Sequence, residues 1–294
     1  MEFHIISEKD KPLFDKYIKN DMRSAYSFIT NFIWCTNENV KVAEEYDCLV
    51  ILWEWENSFY ILYPQGAKEN KEQVLNNCYN YFNSIKKTFN IRFLNEQEVL
   101  ELRELLPKEF TFGYDRDNCD YIYEAQKLIS LSGKKLHSKK NHVNSFKKKF
   151  NFKYRRMNPE DVPECKKLFE EWYSLKDEDS YSISSALDAT FKLLDNMFSL
   201  NLIGGVIEVD GKIIACSIGE QISEDCAIIH IEFASKSYPG SYAIINQQFI
   251  ENEWSKCQYI NREEDMGDAG LRRAKESYQP IKLIETYTAK PSKA

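Results

Sequence analysis

At 294 residues, 43% hydrophobic and 14% aromatic, the chain suits one large domain or two of about 150 residues each, and it is too rich in Tyr, Phe and Trp to stay disordered. Its apolar runs, such as Cys48 to Trp53 and Ile228 to Ile231, fall far short of the ~20 residues that cross a bilayer, and Met1-Glu2-Phe3-His4 lacks the charged start of a signal peptide. A cytoplasmic protein without a transmembrane segment is expected, with peripheral membrane contact left open. The net charge of −7 hides an asymmetry: Ala125 to Pro159 holds eleven basic residues and no acidic one, against 28 basic and 46 acidic residues elsewhere.

Phe3 to Tyr17 reads as a short strand, an acidic turn with Pro12 and an amphipathic helix. Tyr26, Phe28, Ile29, Phe32 and Ile33 continue at helical spacing. Strand patterns at Leu49 to Trp55 and Phe59 to Tyr63 flank Glu56-Asn57-Ser58, which suits a hairpin turn. A helix from Lys71 to Thr88 and a strand at Ile91 to Leu94 follow. In the basic stretch, Leu136, Val143, Phe146 and Phe150 share one helical face, so its lysines are expected mostly to point outward. Phe152 to Phe169 repeats the opening pattern of strand, acidic turn with proline (Pro163) and helix, a weak internal duplication. Next come a helix near Ala186 to Phe198 and strands Ile203 to Val209 and Lys212 to Gln221 around Asp210-Gly211, a strong hairpin signal. A strand Ala227 to Phe233, a helix Tyr242 to Trp254, a strand Gln258 to Asn261, a helix Ala269 to Ser277 and a strand Lys282 to Tyr287 complete the chain. The order implies an α/β (α+β) fold of mixed sheets flanked by helices. The expected division is a lobe over 1–125, a basic helical connector over 126–151 and a second lobe over 152–294.

The eight cysteines are scattered without CxxC spacing, His137 and His142 lie five apart, and Asp115, Asp117 and Asp120 lack the glycine of a calcium loop, so no metal is expected. Gly240 and Ser241 open a helix directly after a strand, where free amides can hold an anion, although such a turn needs glycine for geometry alone. Asn261 to Pro280 is the densest polar segment: Asp268 can cap a helix bearing Arg272, Arg273 and Lys275, which reach a phosphate or carboxylate or stay solvated. Asn261 and Arg262 join them as candidate donor-positioning residues. Glu232 on its strand can act as general base, with His230 two residues away on the same face; a hydrogen-bonded inner pair is the plainer alternative. Lys134, Lys135, Lys139, Lys140 and Lys147 form a candidate phosphate or RNA surface.

The run Tyr259 to Pro280 (YINREEDMGDAGLRRAKESYQP) and the run Leu131 to Phe146 (LSGKKLHSKKNHVNSF) resemble two signatures of the phosphatidylglycerol lysyltransferase C-terminal domain family. The resemblance covers nearly the whole chain. It implies tandem GNAT-like lobes related to Fem-type transferases, which move an aminoacyl group from aminoacyl-tRNA to a lipid or peptidoglycan acceptor. It further implies that Tyr278, in Ala274-Lys-Glu-Ser-Tyr278, is the general acid. Aminoacyl-tRNA or CoA is then the donor partner, no cofactor is covalently bound, and the acceptor is a small molecule, peptide or lipid. In GNAT enzymes a Gln/Arg-x-x-Gly-x-Gly/Ala turn holds pyrophosphate; here Tyr242 replaces its second small residue. The expected activity is acyl or aminoacyl transfer. The alternatives are a non-catalytic tRNA-binding module and a plain acetyl-CoA N-acetyltransferase.

Overall fold

The structure, a computed structural model, describes residues 1–55, 58–106, 110–174 and 181–292. The expected turn at Glu56-Asn57 lies outside them. The chain forms two compact units, Met1–Cys119 together with the chain from Ile284 onward, and Asp120–Leu283.

The first unit runs β1 (His4–Ile5), α1 (Lys11–Tyr17), α2 (Phe28–Ile33), β2 (Val40–Glu45), β3 (Cys48–Trp55), β4 (Ser58–Leu62), β5 (Gln65–Gly66), α3 (Lys71–Ser84), β6 (Ile91–Leu94), α4 (Glu96–Leu105) and β7 (Phe110–Tyr114). Helix α3 stops before Thr88 because Lys86 turns left-handed (φ 56°) and the Lys87 amide bonds back to the Phe82 carbonyl. Helix α4 was not expected, yet its start is written in Asn95-x-x-Glu98, whose side chains satisfy each other's backbone amides at 2.8 and 2.9 Å.

The second unit runs β8 (Asp120–Glu124), α5 (Ala125–Ser130), α6 (His137–Lys149), β9 (Phe152–Arg156), α7 (Val162–Ser174), α8 (Tyr181–Asn196), β10 (Ile203–Val209), β11 (Lys212–Gln221), β12 (Cys226–Ala234), α9 (Ser241–Glu253), β13 (Tyr259–Asn261), α10 (Ala269–Glu276) and β14 (Lys282–Ile284). The chain then returns to the first unit as β15 (Tyr287–Pro291). The sheet orders are β1-β2-β3-β4-β6-β15-β7, with β5 beside β3, and β14-β8-β13-β12-β11-β10-β9. Both sheets are mixed, since β4–β6 and β12–β13 run parallel among antiparallel neighbours. The Asp210-Gly211 turn has φ of 50° and 77°, the two left-handed residues that a tight hairpin requires.

Two expectations change. The basic segment is no connector: Leu128 of α5 and Val143 and Phe146 of α6 belong to the core shared with Ile244, Ile245, Phe249 and Ile250 of α9. Burying each such side chain contributes about 1.5–3 kcal/mol, so 126–151 folds as part of the second unit. The last strand, expected over Lys282 to Tyr287, is two strands in different sheets. The duplication has a structural counterpart. Asp10 and Asp161 each accept from the backbone amide three residues earlier, at 2.8 and 2.7 Å, and each follows an edge strand and precedes a helix. The eight cysteines are all buried and free, filling space as small apolar side chains.

Candidate active site

The site begins with an irregularity in β12. Its register against β11 pairs Ile218 with Ile231 but Gly219 with Ile229, leaving His230 without an opposite residue. Gly219 permits the bulge, since a Cβ there would stand 2.3 Å from the Ile228 carbonyl oxygen. Alternation is thereby reset: Ala227 and Ile229 before the bulge and Ala234 after it belong to the same core under α9. Glu232 therefore meets α9, where Asn246 Nδ2 donates to Glu232 Oε2 at 2.8 Å.

His230 and Glu232, expected to act side by side, are held by different partners. The His230 ring, fully buried, lies 2.9 Å from Glu263 and 3.2 Å from Glu220. Burial lowers its pKa, but the hydrogen bonds to Glu220 and Glu263 outweigh this and carry it up to about 9. Burial and the charge of Glu263 push the neighbouring Glu264 up to about 8. A raised histidine pKa stabilises the fold fully below 6.5 and loses that contribution as pH rises through 9, and Glu264 acts in the same direction from 4.5 to 8. Unfolding free energy is thus expected to fall between pH 6.5 and 9, the histidine contributing about 3 kcal/mol. Urea titrations across that range check it, and His230→Asn should flatten the decline.

Glu232 Oε1 accepts from Arg262 Nη2 at 2.9 Å, both side chains being nearly buried. The same guanidinium stands 4.8 Å from the ring centre of Tyr278 and 5.6 Å from that of Tyr123. Its Nη1 is buried and has no hydrogen-bond partner among the described residues, and the same is true of Asn246 Oδ1. Two unmet polar atoms beside one carboxylate cost about 1–3 kcal/mol each, a cost that functional sites tolerate. Burial and Glu232 hold the Tyr278 phenol well above its usual pKa, against the opposing pull of Arg262, so the phenol keeps its proton at neutral pH.

Tyr278 forms part of the wall of a cavity of about 320 Å³, with Lys139 and His142 of α6, Lys236, Tyr242 and the Pro239–Ser241 turn. Lys139 sits with its Nζ 4.3 Å from the Tyr278 ring centre. It is only partly exposed, whereas Lys134, Lys135, Lys140 and Lys147 are exposed. The signal was in the sequence: Lys139 is three residues after Leu136 and four before Val143, on the apolar stripe itself.

The remaining candidates, expected to position the donor, hold the architecture of the loop through internal bonds. Asn261, fully buried, bonds Asp120 at 2.9 Å and accepts the Glu263 amide at 2.6 Å. Arg272 grips Asp265 through two bonds of 2.7 and 2.8 Å, and Tyr121 donates to the same carboxylate at 2.6 Å. Asp268 caps α10 through the Leu271 amide at 2.6 Å, and the Lys275 ammonium donates to the carbonyls of Arg262 and Glu264. These bonds fold residues 262–268 so that Arg262 alone of the group turns toward Glu232 and Tyr278. Ser241 bonds back to the Ser235 carbonyl at 2.9 Å. Gly240 (φ 94°) has α6 against it: a Cβ would stand 2.8 Å from the His142 carbonyl oxygen and 3.2 Å from Phe146 Cβ. The small residue makes room for a helix. Asn246 and Tyr123 were not foreseen; Asn246 faces inward from a helix buried on most sides, where polarity was the available cue.

The family described as phosphatidylglycerol lysyltransferase, C-terminal, matches residues 18–290. An uncharacterised protein of Mycoplasmoides gallisepticum is 30% identical over 201 residues, covering 67% of this chain and 64% of that protein, less than two thirds of its length. A conserved protein of unknown function from Bacteroides thetaiotaomicron has a crystal structure that superposes with a TM-score of 0.91 at 30% identity, covering 99% of both chains. The structure of L-PGS from Bacillus licheniformis superposes with a TM-score of 0.67 at 14% identity, over 97% of this chain and 91% of that one, a likeness of fold. Among the described residues no helix is long and apolar enough to cross a membrane.

Proposed function

Because the chain belongs to the phosphatidylglycerol lysyltransferase C-terminal family, we propose that it is an acyltransferase that moves an aminoacyl group from an aminoacyl-tRNA ester to an amine or hydroxyl acceptor. The observation that carries this reading is the convergence of Glu232, Arg262 and Tyr278 beside a cavity walled by Lys139, Lys236 and His142. The attacking atom forms a bond to the ester carbonyl carbon, whose oxygen gathers charge that Arg262 stabilises. As the ester C–O bond breaks, Tyr278 gives its phenol proton to the departing oxygen, and the proton of the attacking group passes to the Glu232 carboxylate. Exchange with water resets both. Since the ester is already activated, holding the reactants together supplies most of the acceleration.

An acyl-CoA donor has less support, because the glycine of the expected pyrophosphate turn accommodates α6. A tRNA donor also suits the exposed lysines of the basic segment. Reversing two of them, Lys140→Glu with Lys147→Glu, should weaken tRNA binding for all sequences and reduce the slope of log affinity against log salt by about 1–2. Filter binding across a salt series measures both.

The activity is tested by incubating the protein with a mixture of tRNAs charged with labelled amino acids, supplying hydroxylamine as a small acceptor. Protein-dependent loss of label from tRNA and appearance of a hydroxamate are expected. No loss for any amino acid would reject the transferase. Retained, salt-sensitive tRNA binding in that case would favour a binding module, a reading supported by the internal pairing of Asn261, Asp268, Arg272 and Lys275.

A further inference from the structure

Lys139 has left the basic surface, and its position suggests why. It is half-buried on the apolar stripe that runs from Leu136, just before α6, through Val143 and Phe146, and its ammonium stands over the Tyr278 ring at 4.3 Å, in the wall of the same cavity. The other charged groups around that ring are Arg262 at 4.8 Å from its centre and Glu232 bonded to Arg262, while Lys236 and His142 line the cavity. A lysine on an inward helical position, only partly open to water, loses some of its hydration, a cost that a partner for its charge offsets. A cation over an aromatic face is worth about 0.5–2 kcal/mol for a neutral ring and more once the ring carries charge in a site of low dielectric.

We propose that Lys139 is a positioning residue for Tyr278: its ammonium fixes the ring in the cavity wall and stabilises the negative charge left on the phenol oxygen when the proton moves to the departing group. The proposal rests on the reading of Tyr278 as the acid of the reaction. Burial, then the charge of Arg262, lowers the pKa of Lys139, and burial with Glu232 raises that of Tyr278. A phenolate would relieve the unfavourable setting of the ammonium, so the two groups favour the charged transition state together. The outward lysines, surrounded by water, could not do this.

The test places 3,5-difluorotyrosine at position 278 of the full chain, whose lower intrinsic pKa brings its titration within reach, and follows its fluorine resonance against pH. Lys139→Met should move the midpoint upward by about one pH unit, a tenfold change in the equilibrium. Lys139→Arg should leave it within a few tenths, as should Lys153→Met, which removes an exposed charge from the same segment. An unchanged midpoint in Lys139→Met overturns the proposal; should that variant not fold, Lys139→Gln gives the same reading. A shifted midpoint combined with full transfer activity in Tyr278→Phe would instead reject Tyr278 as the acid while leaving the Lys139 contact intact. The two failures are therefore distinct.

Discussion

Tyr278→Phe is expected to lower the rate of aminoacyl transfer by about 10²–10⁴-fold, the range that loss of a positioned general acid commonly costs. The substitution removes one oxygen and keeps the ring that Arg262 and Lys139 flank, so the packing of this nearly buried side chain survives. Stability in urea should change by less than about 1 kcal/mol. Single-turnover transfer from labelled aminoacyl-tRNA separates the chemical step from binding, and KM should stay near that of the parent while kcat falls. A variant as fast as the parent would remove Tyr278 from the chemistry. A loss confined to KM would make it a binding residue.

Arg262→Met should destabilise the second unit by about 3–5 kcal/mol and abolish transfer, because the Glu232 carboxylate would be left nearly buried without its cation. Much of that cost comes from the stranded charge. Adding Glu232→Gln should therefore recover part of the stability, since a neutral amide can still bond Asn246, but it should restore no activity. Urea unfolding of the parent, both single variants and the double variant completes the cycle. If Arg262→Met cost under about 1 kcal/mol, the pair would behave as a solvated surface pair, and the electrostatic core of the proposed site would fall with it.

The pH dependence of stability separates this centre from its neighbour. His230 is enclosed by Glu220 and Glu263, whereas Glu232 is committed to Arg262 and Asn246. Titrating the histidine should therefore alter stability more than the transfer step. Strand periodicity suggested a joint role for the two because it assumes unbroken alternation. The bulge opposite Gly219 breaks it, and its cause is a close backbone approach that only the paired strands reveal.

Elements set by local chemistry were legible in the sequence. The Asp210-Gly211 hairpin, β6, α9 and α10 follow from turn residues, caps and apolar spacing within a few positions of each other. The family was legible too, because the long run from Asn261 to Tyr278 carries its resemblance whatever the individual contacts are. Within that region the sequence could not rank the charges. Arg262, Arg272 and Lys275 look equivalent along the chain, but Asp265 and two carbonyls claim Arg272 and Lys275, which leaves Arg262 to the site. The partition of the chain was decided in three dimensions. Segment 126–151 joins the second unit because its apolar face has α9 to cover it, and the end of the chain divides between two sheets because pairing depends on which strand edges are available. Lys139 shows both sides of this division. Its place on the apolar stripe was written in the spacing, but only the packed structure puts the Tyr278 ring beneath its ammonium, since that contact joins residues far apart in the chain.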